Sequence, residues 1–323
     1  MINFRPNKKQ YLALEYLMDD EVTEVLYGGA ASGGKSYLGC AWLIISCLKY
    51  PDTRWLMGRS KLNTLKSTTL KTFNDILRDW NIIDRFKINN QTNIIKCING
   101  SEIILKDLFS YPSDPDFDSL GSLEVTGAFI DEVNQISSKA FEIVKTRIRY
   151  KLSKFNIKGK CLMSCNPSKG WVYNEFYKPF LLDQLPVYRK FIPALATDNP
   201  NTEPSYIESL KRSSEFIKQR LLYGNWDYSD EYDSMFKYEN LLKIKDNVNI
   251  ESGVRYITAD IARLGKDTTV IMVWDGLKVI DVIEMNGVTT DISASRIKDL
   301  CTRYRVSLSN VIIDADGIGG VLS

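Results

Sequence analysis

The segment Gly29-Ala-Ala-Ser-Gly-Gly34-Lys35-Ser36 constrains this chain more than any other, because it satisfies all eight positions of G-x-x-x-x-G-K-[ST]. A β-rich stretch, 21–27, precedes it and a helical stretch, 36–50, follows. In that context glycines let successive backbone N–H groups converge on phosphate oxygens at a helix N-terminus, where the helix dipole favours anions. Gly29, Ser32, Gly33 and Gly34 are the expected cradle. Lys35 is expected on the β- and γ-phosphates of ATP, and Ser36 on Mg²⁺.

A phosphate loop needs an acidic partner at the end of a neighbouring strand. The apolar run 125–130 closes on Asp131-Glu132, about a hundred residues downstream. Asp131 is expected in the Mg²⁺ shell. Glu132 stands where hydrolytic enzymes of this type keep the base that polarises water. This tandem pair points to ATP hydrolysis and not to transfer of phosphate to a small acceptor. Met163-Ser-Cys-Asn-Pro167 ends a further strand, and Ser164 or Asn166 there can reach the γ-phosphate or its water. A plain Asn-Pro turn is the alternative reading.

Histidine is absent from all 323 residues, which excludes Ser-His-Asp and Cys-His nucleophile pairs and His-ligated zinc. The six cysteines, at 40, 47, 97, 161, 165 and 301, form no Cys-x-x-Cys pair and read as reduced thiols. The N-terminus lacks a signal-peptide core, and the most apolar stretch, 40–48, is roughly half the ~20 residues a membrane span needs. No membrane association is expected.

Strands expected at 21–27, 53–57, 92–97, 102–108, 125–130 and 160–164 alternate with helices at 36–50, 65–80 and 139–152. Such alternation predicts an α/β fold with a mostly parallel sheet over residues 1–228. Asn99-Gly100 predicts a type I′ hairpin. A linker is expected over 229–250. Residues 251–323 follow a different plan: strands at 255–260, 268–274 and 278–285, a helix at 291–304 and a strand at 310–314. Residues 1–245 carry 34 basic and 29 acidic side chains, residues 246–323 carry 8 and 11. A mildly basic front and an acidic tail suit a DNA-handling part joined to a carboxylate-rich metal site.

The phosphate loop, Phe129-Ile-Asp-Glu132, Ser164-Cys-Asn-Pro167, Thr197-Asp-Asn-Pro200 and Leu221-Leu-Tyr-Gly-Asn-Trp226 together resemble the large terminase subunit of tailed bacteriophages. Asp260-Ile-Ala-Arg-Leu-Gly-Lys-Asp267 and Ile312-Ile-Asp314-Ala-Asp316-Gly-Ile-Gly319 resemble the start of its RNase H-like nuclease domain. The resemblance implies a motor that packages viral double-stranded DNA into a procapsid, and an endonuclease that cuts concatemeric DNA. It implies a portal protein, a small terminase subunit and a ring of identical subunits as partners, in the cytoplasm of the bacterial host.

By the same resemblance Ser164 and Asn166 couple hydrolysis to movement, Gln10 contacts adenine, and Asp260 and Asp314 hold paired Mg²⁺ or Mn²⁺ ions, with Asp267 and Asp316 as neighbours. The nuclease domain is expected to be cut short at Ser323, so endonuclease activity is expected of the full-length protein and little or none of this chain. The arginines some family members place in the phosphate loop or just before the acidic pair are missing here. Arg59, Arg147 and Arg149 are the expected sources of that charge. The run 145–160 holds seven basic residues and no acid, and reads as a solvated helix face or as a surface for DNA phosphates or a neighbouring subunit's nucleotide. A helicase-like or repair ATPase with a C-terminal binding platform, and a nucleotide-gated assembly subunit without turnover, are the other functions such a chain could serve.

Overall fold

The computed structural model describes residues 4–111, 113–228, 250–262 and 268–314. The chain divides into two compact units, Met1–Met235 and Phe236–Ser323, each with its own sheet. Residues 229–249 of the expected linker lie outside the described residues.

The first unit is an eight-stranded sheet. Its strands are β1 (Glu24–Gly29), β2 (Arg54–Arg59), β3 (Phe86–Asn89), β4 (Ile94–Cys97), β5 (Glu102–Asp107), β6 (Gly127–Ile130), β7 (Lys160–Cys165) and β8 (Arg189–Ala194), in the order β3-β4-β5-β2-β6-β7-β1-β8. From β5 to β8 all neighbours are parallel; β3, β4 and β5 pair antiparallel. Central strands β1, β6 and β7 are buried along their whole length, as apolar strands covered on both faces must be. One face packs under helices α1 (Lys8–Met18), α2 (Lys35–Lys49), α3 (Leu62–Ser67) and α4 (Thr69–Asp79), around Leu38, Leu43, Phe73 and Phe129. The other packs under α5 (Ser138–Arg147), around Phe141, Phe176 and Trp226.

Helix α2 lies close to the sheet because Gly39 leaves it room. A Cβ there would stand 2.2 Å from the Phe129 ring. The α/β expectation for this region therefore holds, with local departures. The single helix expected at 65–80 is two, broken at Thr68 (φ −125°, ψ −78°). Thr68 Oγ1 donates to the Thr64 carbonyl at 2.7 Å and Ser67 Oγ does so at 3.1 Å, a back-bonding pattern that bends helices. At the hairpin only Gly100 takes the left-handed conformation (φ 85°) and Asn99 does not, so the turn is not type I′. Asn99 instead donates from Nδ2 to the Cys47 carbonyl at 2.7 Å, tying the hairpin to α2.

The second unit is a four-stranded sheet of β9 (Arg255–Asp260), β10 (Thr268–Asp275), β11 (Lys278–Asn286) and β12 (Val311–Ile313), in the order β11-β10-β9-β12. The first three are antiparallel, and β12 joins β9 in parallel. Helix Thr290–Tyr304 covers one face through Ile297, Leu300 and Cys301 against Ile257, Ala259, Ile271 and Val273. All six cysteines are free and buried, five in the first unit and Cys301 in the second. Among the described residues no helix is long and apolar enough to cross a membrane.

Candidate functional site

The C-terminal ends of β1, β6 and β7 meet at one edge of the first sheet, where an α/β fold leaves a crevice for ligands. The loop after β1 wraps there with left-handed backbone at Ser32 (φ 63°) and Gly34 (φ 75°), and α2 starts at Lys35. A cavity of about 390 Å³ opens above it, lined among others by Gly33, Lys35, Ser36, Glu132 and Asn166.

Lys35 is only 8% exposed and is held by acceptors alone: its Nζ donates to Ala30 O at 2.6 Å and to Asn166 Oδ1 at 3.0 Å. Burial pushes its pKa down, while the Glu132 and Asp131 carboxylates oppose that shift. Asn166 Nδ2 donates in turn to Glu132 Oε1 at 3.1 Å. The amide thus bridges the loop lysine and the expected base. Glu132 sits in the left-handed region (φ 52°, ψ 54°), an uncommon place for a side chain of this size. Burial, and then repulsion from Asp131, raise its pKa; Lys35 and Arg59 pull the other way.

Asp131 is 2% exposed and collects donors from four elements. Ser36 Oγ lies 3.2 Å from Oδ1, Thr69 Oγ1 2.6 Å from Oδ2 and Arg59 Nη1 3.4 Å from Oδ2, while Ser164 Oγ donates to Oδ1. Glu132 N donates to Ser164 Oγ at 3.4 Å. Ser36 and Asp131 offer hard oxygen donors side by side, a set that fits Mg²⁺. Four donors already meet the carboxylate's lone pairs, so an ion would approach it through water.

Gln10 is buried, with Nε2 on the Gly34 carbonyl at 3.1 Å and Oε1 accepting from Asn7 N at 3.0 Å in a capping box for α1. It stands against the phosphate loop. Asn199 Nδ2 donates to Ser32 O at 2.8 Å, and Thr202 Oγ1 is 3.2 Å from Ser32 Oγ. Asn199 belongs to the Thr197–Pro200 segment quoted for the resemblance, without a role assigned there; Thr202 and Thr69 are absent from the motif-based reading.

Of the three expected arginines, the structure brings only Arg59 to the site. Arg147 donates to Gly121 O at 2.6 Å and Arg149 pairs with Glu124 at 3.0 Å. Both bracket Val125, at the far end of the strand that leads to Asp131. Six residues of extended chain separate the two ends by about 20 Å. Helix α5 runs back along the sheet and carries them away. The basic run is partly committed to partners within the fold, while Lys154 and Lys158 stand exposed. Besides those two arginines, Lys145 pairs with Glu24 at 3.2 Å, Lys151 donates to Asp52 O, and Lys160 is buried on the Asp19 and Val22 carbonyls.

In the second unit Ile313 pairs with Ala259 in parallel register, which sets Asp314 beside Asp260. Neighbouring side chains in register point to the same face, and both are exposed at the same sheet end. Among the described residues no three His, Cys, Asp or Glu side chains gather closely enough to hold a metal. Asp267 and Asp316 lie outside the described residues.

A phosphate loop on a parallel sheet, with an acidic pair two strands away, defines a P-loop nucleotide-binding fold. The family model of the phage terminase large subunit matches residues 20–239, and the chain belongs to that family. No curated protein sequence matches it. The structure is similar to the large terminase from a thermophilic bacteriophage, with TM-score 0.56 and 16% identity over 98% of this chain and 79% of that one. The same thermophilic phage protein in complex with ADP gives TM-score 0.56 and 15% identity, covering 96% and 77%. The HK97 bacteriophage large terminase gives TM-score 0.52 and 10% identity, covering 98% and 81%. At these identities the likeness is one of fold.

Proposed function

We propose that the chain is the ATP-hydrolysing subunit of a motor that drives viral double-stranded DNA into a procapsid. The observation that carries this reading is the closed polar circuit Lys35–Asn166–Glu132 beside Ser36–Asp131–Ser164. Bound ATP would replace the Ala30 carbonyl on Lys35 with its β- and γ-phosphates, while Asn166 keeps its place between Lys35 and Glu132. Mg²⁺, held by Ser36 and through water by Asp131, would neutralise phosphate charge. Glu132 polarises the attacking water, and its raised pKa makes its carboxylate a better proton acceptor. Ser164 touches both acids and Asn166 touches both Lys35 and Glu132, so loss of the γ-phosphate is felt directly on β7. Arg59 is the cation placed to answer transition-state charge from within the subunit. Gln10 braces the loop, with the rest of its amide left to meet adenine.

The partners that go with this reading are DNA, a portal protein, a small terminase subunit and further copies in a ring. The host cytoplasm is the compartment. Asp260 and Asp314 would hold Mg²⁺ or Mn²⁺, which would supply Lewis-acid chemistry for cleavage of concatemeric DNA. The test is ATP turnover with and without long double-stranded DNA and portal. Stimulation by both supports the motor, turnover stimulated by DNA but indifferent to portal supports a helicase-like enzyme, and no turnover under any condition sinks both.

A further inference from the structure

The segment that follows β8 makes contacts that no motif assigned. Residues Lys218–Leu222 form one π-helical turn. The Leu221 carbonyl accepts from Ala31 N of the phosphate loop at 3.1 Å. From the same turn Arg220 Nε donates to the Pro167 carbonyl at 2.7 Å. Pro167 follows Asn166, whose amide joins Lys35 to Glu132. A proline has no N–H, so its carbonyl is the only backbone group by which the loop can be held at that residue. The turn is itself anchored. Asn225 N and Nδ2 both donate to Gln219, and buried Trp226 stacks on Tyr177 with ring centroids 5.1 Å apart at 13°. Among the described residues Arg220 pairs with no carboxylate.

We propose that Arg220 is a positioning residue for ATP hydrolysis: by holding the Pro167 carbonyl it sets the Asn166 amide between Lys35 and Glu132. This rests on the ATPase reading of the site. What matters is the hydrogen bond, not the charge. Glutamine separates the two, because its Nε2 lies as many bonds from Cα as arginine Nε and can donate the same bond uncharged.

The experiment compares the parent chain with Arg220→Ala and Arg220→Gln, measuring kcat and KM for ATP, Kd for ADP, and the NMR resonance of the Asn166 side-chain amide. Arg220→Ala should lower kcat by about 10², the scale of a misplaced catalytic group, with KM and Kd within about twofold. Arg220→Gln should recover most of the rate. The Asn166 resonance should move in the Ala variant and return in the Gln variant. A Gln variant as slow as Ala would assign the effect to charge and overturn the proposal. So would an Ala variant at the parental rate, a loss of ADP affinity equal to the loss of rate, or an unmoved Asn166 resonance. Failure of the ATPase reading looks different: the parent would not turn over at all, while the resonance would still report whether Arg220 positions Asn166.

Discussion

Replacing Glu132 by Gln should do two opposite things. The amide keeps an Oε1 acceptor for Asn166 Nδ2, so the 3.1 Å bond survives, and the left-handed backbone at φ 52° is common to both chains. Only the proton acceptor is lost. General bases contribute about 10²–10⁴ in rate, or about 2.7–5.5 kcal/mol at 1.36 kcal/mol per decade. Turnover should fall by that factor with nucleotide affinity retained. Stability should move the other way. Burial raises the Glu132 pKa in the folded chain. A raised carboxyl favours the protonated form, so the parent is at its best below the unfolded pKa and loses stability as pH rises through the folded one. Glutamine escapes that loss. In chelator-treated, nucleotide-free protein, the Tm of the variant relative to the parent should rise with pH from the ordinary carboxylate range up through the raised folded pKa and then level off. Turnover within tenfold of the parent would refute the base. A Tm difference that stays flat with pH, or shrinks towards neutrality, would refute the burial argument.

Lys35→Ala should abolish nucleotide binding and turnover together, read by ADP titration and phosphate release, with Tm little changed. Thr69→Val keeps the shape but removes a donor 2.6 Å from buried Asp131, and should cost about 1.5–3 kcal/mol in denaturant unfolding, as hydrogen bonds to charged groups do. Gly39→Ala drives a Cβ into the Phe129 ring and should cost about 1–3 kcal/mol by the same assay, as overpacking does. Asp260→Asn should remove any Mn²⁺- or Mg²⁺-dependent nicking of plasmid DNA while leaving ATP turnover intact; nicking that persists would rule Asp260 out as a ligand.

What the sequence makes legible is whatever is local along it. The phosphate loop, the Asp131-Glu132 pair and the Ser164–Pro167 loop each sit at a strand end, so an apolar run and the residue after it suffice to place them. Thr69 is hidden because the amphipathic period continues through Ser67-Thr68-Thr69, and the break needs a side-chain bond to the Thr64 carbonyl that periodicity does not register. Strand β8 contains Pro193, which speaks against a strand; the fold accepts it on the sheet edge. Arg147 and Arg149 stand apart from Asp131 within the subunit because nearness along the chain is not nearness in space. A helix of ten residues is enough to return them to the opposite end of the sheet. The Asn199 and Thr202 straps join residues some 170 positions apart, which no local pattern encodes.

The burial of all six thiols has a practical consequence. Cys40, Cys47, Cys161 and Cys165 are so withdrawn from water that their ionisation is strongly suppressed, and Cys301 is shifted the same way. Thiolate is the reactive form, so alkylating reagents and disulfide dyes will find those four thiols nearly inert in the folded chain. A cysteine introduced on the surface then reacts far ahead of those four. The same silence makes the native thiols a two-channel unfolding gauge. A dye that counts them during denaturation reports the opening of the second unit through Cys301 alone and of the first through the other five.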